Sequence, residues 1–81
     1  MDFYDEELSY DEKWKKKFSS MLRAKMNEKG ISQYELAKQS GLCEATISKY
    51  VSRKSIPTAT NILRISEALH CSLEDLGMFS V

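Results

Sequence analysis

The chain has 81 residues, of which 42% are hydrophobic and 30% charged, a balance that suits one small globular domain. No apolar run approaches the ~18 residues that a membrane span needs, and the acidic start MDFYDEELSY lacks the basic region of a signal peptide. These features argue against a membrane protein and favour a cytoplasmic one, in which we expect Cys43 and Cys71 to be reduced thiols.

The charges cancel overall but are unevenly distributed. Residues 1–12 carry six acidic side chains and no basic one, whereas residues 13–81 carry all twelve Lys and Arg against six acids. The sequence therefore divides into an acidic arm (residues 1–9), a domain (10–77) and a short apolar tail (78–81). The basic body favours a polyanionic partner. On charge alone, a mildly basic domain behind a solvated tail fits equally well.

The first predicted helix runs from about Tyr10 to Lys29. Its start has the form of a capping box, Ser9 with Glu12, and Gly30 supplies a C′ residue at its end. Apolar residues recur along one face with the period of an amphipathic helix, at Trp14, Phe18, Met21, Leu22 and Met26.

The second predicted helix covers residues 33 to about 39. Ser32 and Glu35 have the spacing of a capping box, in which each side chain bonds the backbone N–H of the other residue. Ile31 and Leu36 flank this box at the positions of a hydrophobic staple. Both signals place the start of the helix at the same residue.

The third predicted helix follows at once, over about residues 44–51. Between the two helices, Gly41 permits the positive φ of a sharp turn, and the Leu42 side chain is expected to fill the inside of that turn. The third helix should bury Ile47, with Tyr50 partly covered. Two helices joined by a short turn that contains glycine form a helix-turn-helix.

Two further helices are predicted near the end of the chain. Thr58 after Pro57 begins one over about residues 59–69, and the capping box Ser72–Asp75 begins a single turn that stops at Gly77. The longer helix presents an apolar face made of Ile62, Leu63, Ile65, Ala68 and Leu69. The prediction is an all-α bundle of four or five short helices.

Several segments follow one another in a recognisable order: Ile31-Ser32-Gln33, Glu35-Leu36-Ala37, Gly41-Leu42, Thr46-Ile47-Ser48-Lys49-Tyr50, Pro57, Ala68-Leu69 and Leu73 to Leu76. In this order and spacing the chain from residue 18 to residue 76 resembles the helix-turn-helix domain of the lambda-repressor and Cro (XRE, Cro/C1-type) family, with the motif over about residues 33–52. The resemblance implies a compact lambda-repressor-like fold and sequence-specific double-stranded DNA binding. It also implies a small transcriptional regulator, which we expect to be a repressor.

The resemblance implies that the helix over residues 43–51 reads bases in the major groove. Because Ile47 must face the core, the outward residues expected to contact bases are Glu44, Ala45, Ser48 and Lys49. Lys49 can donate to guanine, Glu44 can accept from cytosine, and Ala45 can meet a thymine methyl. Alternatively, Glu44 interacts only with the positive end of the helix dipole, and Lys49 is an ordinary solvated charge that contacts no base.

A second set of residues is expected to contact the DNA backbone: Gln33, Cys43, Thr46, Arg53, Lys54 and Ser55. Gln33 stands where the family's glutamine reaches a phosphate. Arg53 and Lys54 follow the third helix, where the chain should pass along the phosphates. Such contacts position a protein on the duplex without reading its sequence.

The chain departs from the family at three places. Arg53 occupies a position that is usually glycine, so the exit from the third helix should be strained or shaped differently. Met26 and Val51 stand where the family often has an Arg–Glu pair, and we expect an apolar contact instead. Cys43 replaces the usual Ser or Thr cap, which should weaken the start of the third helix.

The sequence offers no catalytic set, cofactor motif or metal-ligand spacing, so we expect no enzyme, cofactor or metal site. The partners expected are double-stranded DNA and a second copy of the chain on DNA, with no membrane. The alternative is an antitoxin-like protein-interaction module on the same fold, binding a protein partner through the acidic arm or the apolar tail.

Overall fold

The computed structural model describes residues 10–72 and 74–76. They contain no strand and form four α-helices, α1 (Tyr10–Lys29), α2 (Gln33–Ser40), α3 (Glu44–Val51) and α4 (Ala59–Leu69), followed by a 3₁₀ turn at Glu74–Leu76. The predicted all-α fold is confirmed. None of the described helices is long and apolar enough to cross a membrane. The acidic arm with Ser9, the apolar tail, Leu73 and Gly77 lie outside the described residues.

Local side-chain caps start two of the helices. The Ser32 hydroxyl accepts from the Glu35 N–H at 3.1 Å, and the Glu35 carboxylate accepts from the Ser32 N–H at 3.0 Å. The predicted capping box is therefore complete. At the start of α4, the Thr58 hydroxyl accepts from the Asn61 N–H at 3.2 Å. These bonds satisfy backbone donors that a helix leaves unpaired at its first turn.

All four helices end in the same backbone motif. A residue in the left-handed region follows each helix, and the next residue donates its N–H to a carbonyl five residues back. The left-handed residues are Gly30 (φ 65°), Gly41 (φ 76°), Arg53 (φ 65°) and His70 (φ 52°). The returning bonds are Ile31 to Met26 (3.0 Å), Leu42 to Ala37 (3.0 Å), Lys54 to Lys49 (2.8 Å) and Cys71 to Ser66 (3.0 Å). Glycine occupies two of these positions and a side-chain-bearing residue the other two.

The core draws on every described element. Its buried apolar residues are Phe18, Leu22, Met26, Leu36, Ala37, Ile47, Tyr50, Ile62, Ile65, Leu69 and Leu76. Trp14 stacks on Phe18 with ring centroids 5.4 Å apart, which extends the core along α1. Burial of each large apolar side chain contributes about 1.5–3 kcal/mol to the stability of the fold. The contacts among these side chains therefore determine the angles at which the helices pack.

Two burial predictions were wrong. Leu63 was expected on the apolar face of α4, but its side chain is 50% exposed. The buried stripe of α4 contains Ile62, Ile65 and Leu69, and Leu63 lies about 100° around the helix from Ile62. Tyr50 was expected to be partly covered, but it is only 4% exposed because Phe18 of α1 packs against its ring and Asn61 of α4 bonds its hydroxyl.

Candidate nucleic-acid interface

A tight turn fixes α2 against α3. Residues 41–43 connect the two helices, and Gly41 takes the positive φ that the sequence predicted. The guanidinium of Arg64 lies over this glycine, 3.1 Å from where a Cβ would stand. Leu42 packs against the core, as expected for a side chain that fills the inside of the turn. A side chain at position 41 would therefore meet both backbone strain and a close neighbour.

The two faces of α3 differ sharply. Ile47 and Tyr50 are 0% and 4% exposed and point into the core. The four residues predicted to contact bases are all exposed, namely Glu44, Ala45, Ser48 and Lys49. Because these positions are one and four residues apart, the helix brings them together in one stripe on its outer face.

Three contacts hold α3 in place from behind. The Tyr50 ring meets Phe18 of α1 edge-on, with centroids 6.0 Å apart. The Tyr50 hydroxyl accepts from the Asn61 amide of α4 at 2.8 Å. The fully buried Ser19 donates its hydroxyl to the Val51 carbonyl at 2.6 Å. The last residues of α3 are thus fixed by both α1 and α4.

Sequence reasoning missed two of these supporting residues, Ser19 and Asn61. For Ser19 a signal was available, because it precedes Leu22 and Met26 by three and seven residues and so falls on the buried stripe of α1. A polar residue on such a stripe needs a hydrogen-bond partner. No comparable pattern identifies Asn61, since its contact depends on how α4 crosses α3.

The start of α3 lacks a side-chain cap. Cys43 is the N-cap residue with extended backbone, and its side chain makes no capping hydrogen bond to the backbone. The Thr46 hydroxyl donates to the Cys43 sulfur at 3.7 Å, a weak interaction because thiols are poor acceptors. Cys43 is exposed and Thr46 half-buried, so both remain within reach of a partner on the outer face. The expected weak cap is what the structure has.

The exit from α3 concentrates positive charge. Arg53 and Lys54 are exposed, and Ser55 behind them is half-buried. Arg53 takes a left-handed conformation, so the strain expected at this position is present. The Ser52 hydroxyl donates back to the Ser48 carbonyl at 2.8 Å, which further fixes the exit. Cations at the carboxyl end of a helix are favoured by its dipole.

At the other edge of the motif, Gln33 is the half-buried first residue of α2. Hydrogen bonds from the backbone and side chain of Ser32 lower the pKa of Glu35 below its usual 4.5, because they stabilise the charged carboxylate. Among the described residues, no three His, Cys, Asp or Glu side chains come together to hold a metal ion.

Met26 and Val51 both line one cleft between α1 and α3. Met26 is only 8% exposed, and Val51 packs against the core from the edge. The apolar pair thus stands at the junction where the resemblance implies an ion pair in relatives. An apolar pair here avoids the desolvation of two charges.

Comparison with known proteins agrees with this architecture. A family model described as helix-turn-helix matches residues 22–76. The crystal structure of the restriction-modification controller protein C.AhdI from Aeromonas hydrophila is similar at a TM-score of 0.72 and 32% sequence identity. The match covers 74% of this chain and 91% of that one. The curated proteins contain no match to the sequence.

Proposed function

Because the chain belongs to the helix-turn-helix family of Cro/C1-type (XRE) regulators, we propose that this DNA-binding regulator of transcription is a sequence-specific repressor whose α3 reads the major groove. C.AhdI is described as a controller protein, and the likeness to it supports a regulatory role for this chain.

One observation carries the proposal, namely the contrast between the two faces of α3. Its inner face is buried at Ile47 and Tyr50, while its outer face is an exposed stripe made of Glu44, Ala45, Ser48 and Lys49. A helix held rigidly from behind and open in front fits the major groove, which is about 12 Å wide. Rigid support also favours specificity, because base contacts depend on accurate placement of side chains.

In this proposal Glu44, Ala45, Ser48 and Lys49 contact base edges. Lys49 donates to guanine O6 and N7, Glu44 accepts from cytosine N4, and Ala45 meets a thymine methyl. Arg53 and Lys54 bind phosphates beyond the end of α3. The remaining proposed backbone contacts are Gln33, Cys43, Thr46 and Ser55.

The first experiment is fluorescence anisotropy of a mixed-sequence duplex titrated with the protein at several salt concentrations. We expect affinity to fall linearly with salt on logarithmic axes, since phosphate contacts release counterions. Absence of binding even at about 50 mM salt, where screening is weak, would contradict DNA binding.

The second experiment separates the two kinds of contact. After selection of a preferred duplex, Lys49→Ala should weaken binding to that duplex by about 1–3 kcal/mol and change the preferred bases. Charge reversal at Arg53 and Lys54 should weaken binding to all duplexes similarly. If Lys49→Ala left both sequence preference and affinity unchanged, base reading by this residue would be wrong.

We also propose that two copies bind one duplex, on half-sites about 34 Å apart. The mass of the complex with a two-fold symmetric duplex, compared with that on a half-site, tests this directly. A complex that holds one chain on the symmetric duplex would contradict it. The antitoxin-like alternative depends on the arm and the tail, which lie outside the described residues, and no contact of the described part favours it over DNA binding.

A further inference from the structure

A small cleft lies where α1, the start of α2 and the end of α3 meet. Its volume is about 190 Å³. The described residues that line it are Arg23, Met26, Asn27, Ile31, Gln33 and Val51. Three of them are apolar and three polar, and Arg23 carries the one formal charge among them.

The position of this cleft links two parts of the proposed DNA-backbone surface. Gln33, the first residue of α2, lines the cleft. So does Val51, the last residue of α3, and the proposed phosphate contacts Arg53 and Lys54 follow it within three residues. A cation that lines this cleft is therefore near residues of both helices that are proposed to meet the duplex backbone.

Arg23 has the chemistry and the freedom to use this position. Its side chain is exposed, and it takes part in neither of the salt bridges found among the described residues, Lys15–Glu12 and Lys25–Glu28. An arginine can lay its aliphatic stem along apolar neighbours such as Met26 while its guanidinium stays in water. The guanidinium is a fork of donors that matches phosphate geometry.

We propose that Arg23 is a further DNA-backbone contact, whose guanidinium binds a phosphate at the mouth of this cleft beside Gln33. The inference rests on the proposed function and adds α1 to the surface that meets DNA. Lys25 on the same helix does not qualify, because its ammonium is paired with Glu28 at 3.5 Å.

The test is the salt dependence of duplex binding by Arg23→Gln and Arg23→Lys, measured by fluorescence anisotropy. The control is Lys29→Gln, which removes the same charge from α1 but lines a different cleft, together with Leu69 and His70. Thermal melts check that each variant is folded. We expect that each is, because the side chains of Arg23 and Lys29 are exposed and their replacement should not disturb the core.

We expect Arg23→Gln to lower the slope of log affinity against log salt by about 0.9 relative to Lys29→Gln. This corresponds to about eightfold weaker binding at about 0.1 M salt, for preferred and mixed-sequence duplexes alike. Arg23→Lys should keep the wild-type salt slope, because lysine keeps the positive charge. It should keep only part of the wild-type affinity, because lysine lacks the fork of donors.

Each other outcome overturns the inference. If Arg23→Gln and Lys29→Gln show the same slope, Arg23 makes no phosphate contact, although the proposed function stands while the wild type still binds. If Arg23→Gln changes the preferred sequence rather than the affinity for all duplexes, the contact is not to the backbone. If the wild-type protein binds no duplex, the proposed function fails and the role of Arg23 with it.

Discussion

Replacing Arg53 by glycine should make the protein more stable and a weaker DNA binder. Arg53 holds a left-handed conformation with φ 65°, which costs about 1–2 kcal/mol for a residue with a Cβ. The backbone bonds of the motif, Arg53 N–H to Tyr50 at 3.3 Å and Lys54 N–H to Lys49 at 2.8 Å, do not depend on the side chain. The exposed side chain contributes no core packing.

The expected gain follows from two opposing effects. Glycine removes the strain of about 1–2 kcal/mol but raises the conformational entropy of the unfolded chain, which offsets about 0.5–1 kcal/mol. A net stabilisation of about 0.5–1 kcal/mol should raise Tm by about 2–8 °C in a domain of this size. Duplex affinity should fall for all sequences, with a salt slope smaller by about 0.9, because one phosphate contact is lost.

A matched control exists at the end of α4. His70 holds the same type of conformation, with φ 52°, and is also exposed. His70→Gly should therefore raise Tm by a similar amount without affecting DNA binding. Arg53→Lys, which keeps both the charge and the strain, should leave Tm and the salt slope close to wild type.

Thermal melts followed by circular dichroism, together with anisotropy titrations, measure both quantities. If Arg53→Gly melted at or below the wild-type temperature while His70→Gly melted above it, the strain argument at position 53 would be refuted. The Arg53 side chain would then stabilise the fold itself. Equal duplex affinities of Arg53→Gly and wild type would refute its phosphate contact.

Three other substitutions test the support of the interface and its local caps. Met26→Arg should destabilise by about 2 kcal/mol or more, since it places an unpaired charge beside Val51, and a melt matching wild type would contradict the apolar pairing. Ser19→Ala should lower the free energy of unfolding in urea by about 1–3 kcal/mol, because the Val51 carbonyl loses a buried donor, whereas an unchanged midpoint would show that this bond adds nothing. Because the pKa of Glu35 is lowered in the folded state, its bond to Ser32 stabilises the fold above pH 4.5 and is lost as pH falls through the lowered pKa. Glu35→Gln should flatten the stability–pH curve in that acidic range, and a curve parallel to that of the wild type would count against the capping role.

The sequence predicted the local structure well because its signals act over a few residues. The capping box of Ser32 and Glu35 closes within three residues, and the left-handed turns at Gly30 and Gly41 are favoured locally by the missing Cβ of glycine. The periodicity of the first helix placed Phe18, Leu22 and Met26 correctly in the core. The outward stripe of α3 also followed from sequence, since burial of Ile47 determines which neighbours face away.

The tertiary structure alone decided what depends on the angles between helices. Leu63 was misplaced because its sequence pattern does not reveal how wide a face α4 can bury. The bond from Ser19 to Val51 joins residues 32 positions apart and forms only where α1 meets the end of α3. The cleft that brings Arg23 beside Gln33 has the same origin, because a pattern along one helix contains no information about the helix that crosses it.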